Sequence, residues 1–95
     1  MPTPQSLPDN EQILAAVVRA WSGALNVGKI QPTDNFFSLG GNSLIALRTA
    51  NQLSGELGVQ LSIRALFEHS DLQDYVREIE RMVKQQEHSR GEDAR

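Results

Sequence analysis

The chain has 95 residues and no cysteine, which indicates one small domain without disulfides or thiolate metal sites. Its formal net charge of −3 argues against a nucleic acid partner, because such proteins need a basic face to neutralise phosphates. No apolar run approaches the roughly 18 residues of a membrane-spanning helix, and the N-terminus has no signal-peptide pattern. We therefore expect a cytoplasmic protein that binds neither membrane nor nucleic acid, and we expect a monomer.

The first part of the chain predicts a disordered lead and then a long helix. Three prolines within residues 1–8 forbid a helix there. Asp9 is a predicted N-cap, with Gln12 in the capping-box position three residues later. Over residues 10–25 the apolar side chains recur at helical spacing, namely Ile13, Leu14, Val17, Val18, Trp21 and Leu25. We expect Trp21 to lie in the core.

A long connection, residues 26–42, follows this helix. A loop of such length in a small domain tends to be functional when it is ordered. Phe36, Phe37 and Leu39 can anchor it to the core, so we expect an ordered loop and not a floppy linker.

The second predicted helix begins at Ser43 and ends near Glu56, where Gly55 and Gly58 are expected to stop it. At 100° per residue one side of this helix collects the predicted core stripe: Ala46, Leu47, Ala50, Leu53 and Leu57. Leu44 and Ile45 fall outside that stripe, so we expect them to face outward beside Ser43, with Arg48 one turn later.

The remaining chain predicts two more helices and a tail. Ser62 can cap a short helix over residues 63–68, and a longer helix follows from Leu72. From Lys84 the chain is polar and without periodicity, so we expect it to fray. The predicted fold is an all-α four-helix bundle, with a disordered lead at 1–8, one domain at 9–83 and a polar tail at 84–95.

Ser43 stands where a glycine-containing loop becomes a helix. Gly40 and Gly41 leave no side chains beside it, so we expect its hydroxyl to be accessible to a large partner. Unpaired N–H groups at a helix N-terminus favour an anion, and a serine there can carry a phosphodiester. The alternative is simple capping, because Asn42 and Ser43 are both preferred N-cap residue types. The anchored loop and the apolar start of the helix favour the first interpretation.

The chain lacks the groups that a catalyst needs. Ile45 stands where a nucleophile elbow requires its last glycine. The two histidines are His69, in a predicted turn, and His88, in the tail. No metal-ligand cluster or phosphate-binding glycine loop is visible in the sequence. We therefore predict a protein that is not an enzyme and binds no metal.

Two segments and the opening helix carry a family resemblance. The segments are D-N-F-F-S-L-G-G-N-S-L at 34–44 and L-S-I-R-A-L-F-E-H at 61–69. Together they resemble the peptidyl carrier proteins, or thiolation domains, of nonribosomal peptide biosynthesis, over about residues 9–83. The resemblance implies that Ser43 accepts 4′-phosphopantetheine from coenzyme A. The position of Asn42 often holds His or Asp in such proteins, so Asn42 is a mild departure.

The resemblance also implies roles for the neighbours of this serine. The loop is shaped by Asp34, Asn35, Leu39, Gly40 and Gly41, and the attachment site comprises Ser43 with Gly40, Gly41 and Asn42. The candidate partner contacts are Leu44, Ile45, Arg48 and Phe67.

The implied activity is to carry an aminoacyl, peptidyl or acyl thioester between enzymes. The implied partners are a phosphopantetheinyl transferase, which acts with magnesium, an adenylation enzyme, and condensation or tailoring enzymes. Because the chain has no cysteine, the thiol must come from the prosthetic group.

Three alternatives are compared on sequence grounds. Fatty-acid carriers resemble this fold, but they typically have D-S-L at the serine and a strongly acidic second helix. Here the motif is G-N-S-L, and the second helix has Arg48 and only Glu56, which favours the peptidyl type. The start at Met1 and the short polar end suggest a stand-alone carrier, although an excised synthetase domain would look similar. The alternative of a different class is a small helical adaptor or helix-turn-helix protein with no prosthetic group.

Overall fold

Four α-helices form the protein in a computed structural model that describes the backbone of residues 8–93 and the side chains of residues 8–85. They are α1 (Asn10–Leu25), α2 (Ser43–Leu57), α3 (Ile63–Glu68) and α4 (Leu72–Asp93). Within the described backbone the extended pairing is limited to one isolated bridge, between Asn35 and Asp71. The predicted all-α bundle with a long first loop is confirmed. The predicted disordered lead lies almost entirely outside the described residues.

The capping box predicted for α1 is present. The Asp9 carboxylate accepts the backbone N–H of Gln12 at 2.9 Å, and the Gln12 side chain accepts the N–H of Asp9 at 2.9 Å. Two of the N–H groups that a helix start leaves unpaired are therefore satisfied by the local sequence. At its other end α1 stops at Asn26, which adopts the left-handed conformation with φ 58°.

The core is built around Trp21, as predicted. Its ring is fully buried, meets Phe36 edge-on with centroids 5.1 Å apart, and stacks on Tyr75 at 6.1 Å. These three rings join α1, the long loop and α4 at one point. An ion pair between Arg19 and Glu56 also links α1 to α2.

The predicted core face of α2 is wrong by part of a turn. Leu47 is 45% exposed, whereas Thr49 is buried and Ile45 is partly buried against the core. The cause is the Thr49 hydroxyl, which donates to the Ile45 carbonyl at 2.8 Å and so enters the core with its polar group satisfied. With Thr49 inside, the buried arc extends toward Ile45, and Leu47 is left on the solvent side.

The ends of α2 and α4 also differ from the sequence-based bounds. Gly55 lies inside α2, and the helix stops at Gly58, which has φ 73°. The last helix continues to Asp93, ten residues beyond the predicted end at Val83. Its extension begins with Lys84 and three further residues of high helix propensity, so the backbone can remain helical without an apolar stripe.

Candidate functional site

The loop before α2 ends in a tight turn of helical type. The N–H of Leu39 donates to the carbonyl of Asn35 at 3.0 Å. The N–H of Gly40 then donates to Phe37 at 3.2 Å, and that of Gly41 donates to Phe36 at 3.1 Å. This pair of bonds is the Schellman pattern, which needs a left-handed residue after the turn, and Gly40 supplies it with φ 108°.

Gly41 is required for a different reason, namely contact with the core. A Cβ atom at this position would lie 2.4 Å from Cε2 of the Phe36 ring and 2.8 Å from the Phe36 carbonyl oxygen. Only a residue without a side chain lets the backbone lie this close to a buried ring. The turn that leads to Ser43 is thereby pressed against the same aromatic group that contains Trp21.

The middle of the loop is held to the start of α4 by Asn35. Its amide oxygen accepts the N–H groups of Phe37 and Ser38 at 2.9 and 3.0 Å. Its amide nitrogen donates to the Ser70 hydroxyl at 3.0 Å and to the Asp71 carboxylate at 3.1 Å. Both ends of one side chain are therefore used, one to shape the turn and one to hold it to the bundle. This agrees with the loop-shaping role expected for Asn35.

Asn42 caps α2, and Ser43 is the first residue of the helix. The Asn42 side chain accepts the N–H of Ile45 at 2.9 Å from an extended backbone. The Ser43 side chain is exposed, and its hydroxyl has no hydrogen bond to any described residue. Simple capping by Ser43 therefore lacks the bond that defines it. The hydroxyl is free to react or to be modified.

Two exposed apolar side chains lie on α2 within four residues of Ser43. Leu44 is 60% exposed and Leu47 is 45% exposed. On α3, Phe67 is also 45% exposed and stacks on Phe37, with ring centroids 5.3 Å apart and planes 5° apart. Leu47 was missed by the sequence analysis, although its spacing of four residues from Ser43 would have identified it once Thr49 was placed in the core.

No catalytic group reaches Ser43 within the described part of the chain. His69 lies near Glu78 of α4, with Nε2 3.6 Å from Oε1, and not beside the serine. Between residues 8 and 85, no cluster of three His, Asp or Glu side chains could hold a metal ion. None of the described helices is long and apolar enough to cross a membrane.

Both the sequence and the structure of this chain are similar to those of known proteins. A family model described as a phosphopantetheine attachment site matches residues 15–79. Malpinin synthetase of Mortierella alpina is 47% identical over 58 residues, which is 61% of this chain. Tyrocidine synthase 3 of Brevibacillus parabrevis is 37% identical over 82 residues, which is 86% of this chain. The chain spans about 1% of the length of each of these curated relatives.

Two solved structures extend the comparison. A prototype peptidyl carrier domain of modular peptide synthetases is 31% identical with a TM-score of 0.61, covering 68% of this chain and 86% of that one. The McyG A-PCP protein, complexed with phenylalanyl-adenylate, is 36% identical with a TM-score of 0.60, covering 78% of this chain and 12% of that one.

The chain belongs to the phosphopantetheine attachment-site family. It is a carrier protein of the nonribosomal peptide type, and 4′-phosphopantetheine is its covalent prosthetic group. The Ser43 hydroxyl is exposed, and a Cβ atom built at Gly40, three residues earlier, would meet no atom within 4 Å, so no described side chain crowds this end of α2.

Proposed function

We propose that the chain bears 4′-phosphopantetheine on Ser43 and carries an aminoacyl, peptidyl or acyl group between biosynthetic enzymes in the cytoplasm. The observation that carries the proposal is the free, exposed hydroxyl of Ser43 on the first residue of α2. Asn42 performs the capping in its place. The prosthetic group supplies a thiol, which the side chains of this cysteine-free chain cannot.

The chemistry at Ser43 is a phosphoryl transfer. The serine oxygen forms a bond to the phosphorus that bears the pantetheine arm, the pyrophosphate P–O bond of coenzyme A breaks, and 3′,5′-ADP leaves with the electron pair. Since no described histidine or carboxylate contacts Ser43, the base that takes the hydroxyl proton belongs to the transferase. The carrier itself is not an enzyme in this proposal.

The local structure favours the product. The backbone N–H groups of Ser43 and Leu44 have no acceptor within the described chain, as is usual in the first turn of a helix. They and the helix dipole favour a negative charge at this end of α2. A phosphodiester on Ser43 therefore arrives at a position where its charge is stabilised.

The proposed partners are a phosphopantetheinyl transferase, an adenylation enzyme, and condensation or tailoring enzymes. Leu44, Arg48 and Phe67 are the proposed partner contacts, because all three are exposed. The first two lie on α2 within five residues of Ser43, and Phe67 stacks on Phe37 of the loop before α2. Ile45 remains a proposed contact only at the edge of this surface, since it is partly buried against the core.

Intact-mass measurement tests the attachment. The protein is incubated with coenzyme A, magnesium and a broad-specificity phosphopantetheinyl transferase. We expect the mass of one phosphopantetheine to be added to the wild type and to Ser38→Ala, a control with an exposed serine of the same loop. Ser43→Ala should gain nothing. An unmodified wild type would favour the helical adaptor, and a modified Ser43→Ala protein would refute the assignment.

A further inference from the structure

The first turn of α4 is capped by the long loop and not by the side chain that precedes the helix. The N–H of Leu72 donates to the carbonyl of Asp34 at 2.9 Å, and the next N–H of the helix also donates to a loop carbonyl, at 3.0 Å. Asp71 stands directly before α4, where a carboxylate usually accepts an N–H of the first turn. Among the described residues its side chain accepts the amide of Asn35 instead, at 3.1 Å.

The turn that leads to Ser43 is a self-contained unit. Every N–H group of residues 37–41 donates to an oxygen of residues 35–37. Asn35 supplies the oxygen for the first three of these bonds, so the turn is built on this residue. The buried ring of Phe36 holds the unit in the core, and the Asn35 amide group fixes it to the start of α4.

We propose that Asp71 is a positioning residue for the modification of Ser43, because its carboxylate holds Asn35 and thereby orients the turn from which α2 begins. This inference rests on the proposed function at Ser43. The transferase must bring the phosphorus of coenzyme A to one hydroxyl, and a small displacement of a reacting group can cost a large factor in rate. A turn that leaves its place part of the time presents Ser43 correctly in only a fraction of the molecules, which raises the apparent KM for the carrier.

Asn35→Asp separates the two functions of this side chain. The new carboxylate keeps an oxygen for the N–H groups of the turn, but it has no proton to donate to Asp71. Two like charges then face each other where the wild type has a hydrogen bond of 3.1 Å. The Ser70 hydroxyl can reverse and donate, so its contact with position 35 is kept. Asp71 is therefore the partner that this substitution removes.

Asp71→Asn supplies both a conservative variant and a rescue. Alone, it keeps an oxygen that can accept the Asn35 amide, so the turn should stay in place. Combined with Asn35→Asp, it restores a donor opposite an acceptor with the direction of the bond reversed, and the net charge equals that of the wild type. Ser54→Ala is the matched control, because it deletes a part-buried hydrogen bond of 3.0 Å, to the N–H of Leu61, outside the loop before α2.

The test measures modification by coenzyme A, magnesium and a broad-specificity phosphopantetheinyl transferase as a function of carrier concentration. Circular dichroism first establishes that each variant folds. We expect Asn35→Asp to raise the KM for the carrier about fivefold or more, with kcat within about twofold of wild type. Asp71→Asn, the double variant and Ser54→Ala should each keep a KM within about twofold of wild type.

Hydrogen exchange gives a second readout that a general loss of stability would not produce. The N–H groups of Phe36 and Leu72 bond across the junction between the loop and the start of α4. Both should exchange faster in Asn35→Asp than in Ser54→Ala, because the junction opens locally. The double variant should restore the wild-type exchange rates.

A wild-type KM with unchanged exchange in Asn35→Asp would overturn the inference. So would a double variant whose KM remains as high as that of Asn35→Asp, because the defect would then not lie in the bond to Asp71. If Asn35→Asp does not fold, the double variant decides alone, since it must fold and be modified with the wild-type KM. Failure of the proposed function shows at an earlier step, as a wild type that gains no phosphopantetheine.

Discussion

Gly41 is the residue at which the turn before Ser43 touches the core. Its backbone lies against the ring and the carbonyl of Phe36, while Gly40 supplies the left-handed conformation that closes the turn. The two adjacent glycines therefore have separate physical roles. The sequence alone indicated that both were needed near Ser43, but it did not distinguish space beside a ring from backbone conformation.

Replacement of Gly41 by alanine should destabilise the protein. The new methyl group would overlap the Phe36 ring, and overpacking of this kind costs about 1–3 kcal/mol. Gly55→Ala is the control, because Gly55 lies inside α2 and a methyl group there would meet no atom within 4 Å. Alanine also stabilises a helix by roughly 0.5–1 kcal/mol relative to glycine. Chemical denaturation should show opposite signs for the two variants. Equal stability of Gly41→Ala and wild type would contradict the close contact.

The elements differ in how far local sequence determines them. The starts of α1 and α3 agree with prediction because their caps, Asp9 with Gln12 and then Ser62, lie within three residues of the groups they satisfy. The end of α4 has no such signal, and the prediction stopped where the apolar stripe stops. The buried face of α2 depended on Thr49, whose hydroxyl bonds within its own helix and so lets a polar residue enter the core.

The site shows the same division between local and distant interactions. The position of Ser43 at the start of α2 followed from Gly40, Gly41 and the apolar residues after it. The attachment of the loop to α4 did not, because the side-chain partners of Asn35 are 35 and 36 residues away in the sequence. Nothing in the spacing of Asn35 could identify Ser70 and Asp71 as those partners.

The anchoring of the long loop gives a prediction at the scale of the element. Phe36 is fully buried, which confirms that at least one of the two adjacent phenylalanines enters the core. Phe36→Ala should lower the free energy of unfolding by about 3–5 kcal/mol. Phe67→Ala is the control, since Phe67 is 45% exposed and its loss should cost much less. If thermal melts of the two variants coincide, Phe36 does not anchor the loop.

At the scale of the whole molecule, the core contains two polar atoms without partners among the described residues. They are the Nε1 atom of Trp21 and the hydroxyl of Tyr75, both fully buried in the stacked pair that joins α1 to α4. Burial raises the pKa of Tyr75 well above its ordinary value of about 10. The folded protein therefore retains the tyrosine proton at a pH at which the unfolded chain releases it.

This difference predicts a loss of stability at alkaline pH. In the unfolded chain the pKa of tyrosine is about 10. Below that pH the tyrosine is neutral in both the folded and the unfolded state, so Tyr75 adds no pH dependence to the free energy of unfolding. As the pH rises above that value, the unfolded chain binds fewer protons than the folded one. The free energy of unfolding should then fall by at most about 1.4 kcal/mol per pH unit.

Tyr75→Phe should remove this pH dependence, and it should be at least as stable as wild type at neutral pH because it deletes a buried hydroxyl without a partner. Denaturation curves at neutral pH and above pH 10 measure both effects. The stability difference in favour of Tyr75→Phe should widen as the pH rises. A constant difference would indicate that Tyr75 ionises in the folded state as it does in water.

Trp21 is the only tryptophan of the chain, and its ring contacts the Phe36 ring, against which Gly41 lies. Indole emission depends on the immediate surroundings of the ring, so the unlabelled protein contains an optical reporter of the turn before Ser43. After the enzyme's own emission is subtracted, an enzyme that binds Ser43 with the turn in place would leave the emission of Trp21 unchanged. An enzyme that draws the turn away from Phe36 would shift it, so partner enzymes can be sorted by the distortion they impose without attaching a dye.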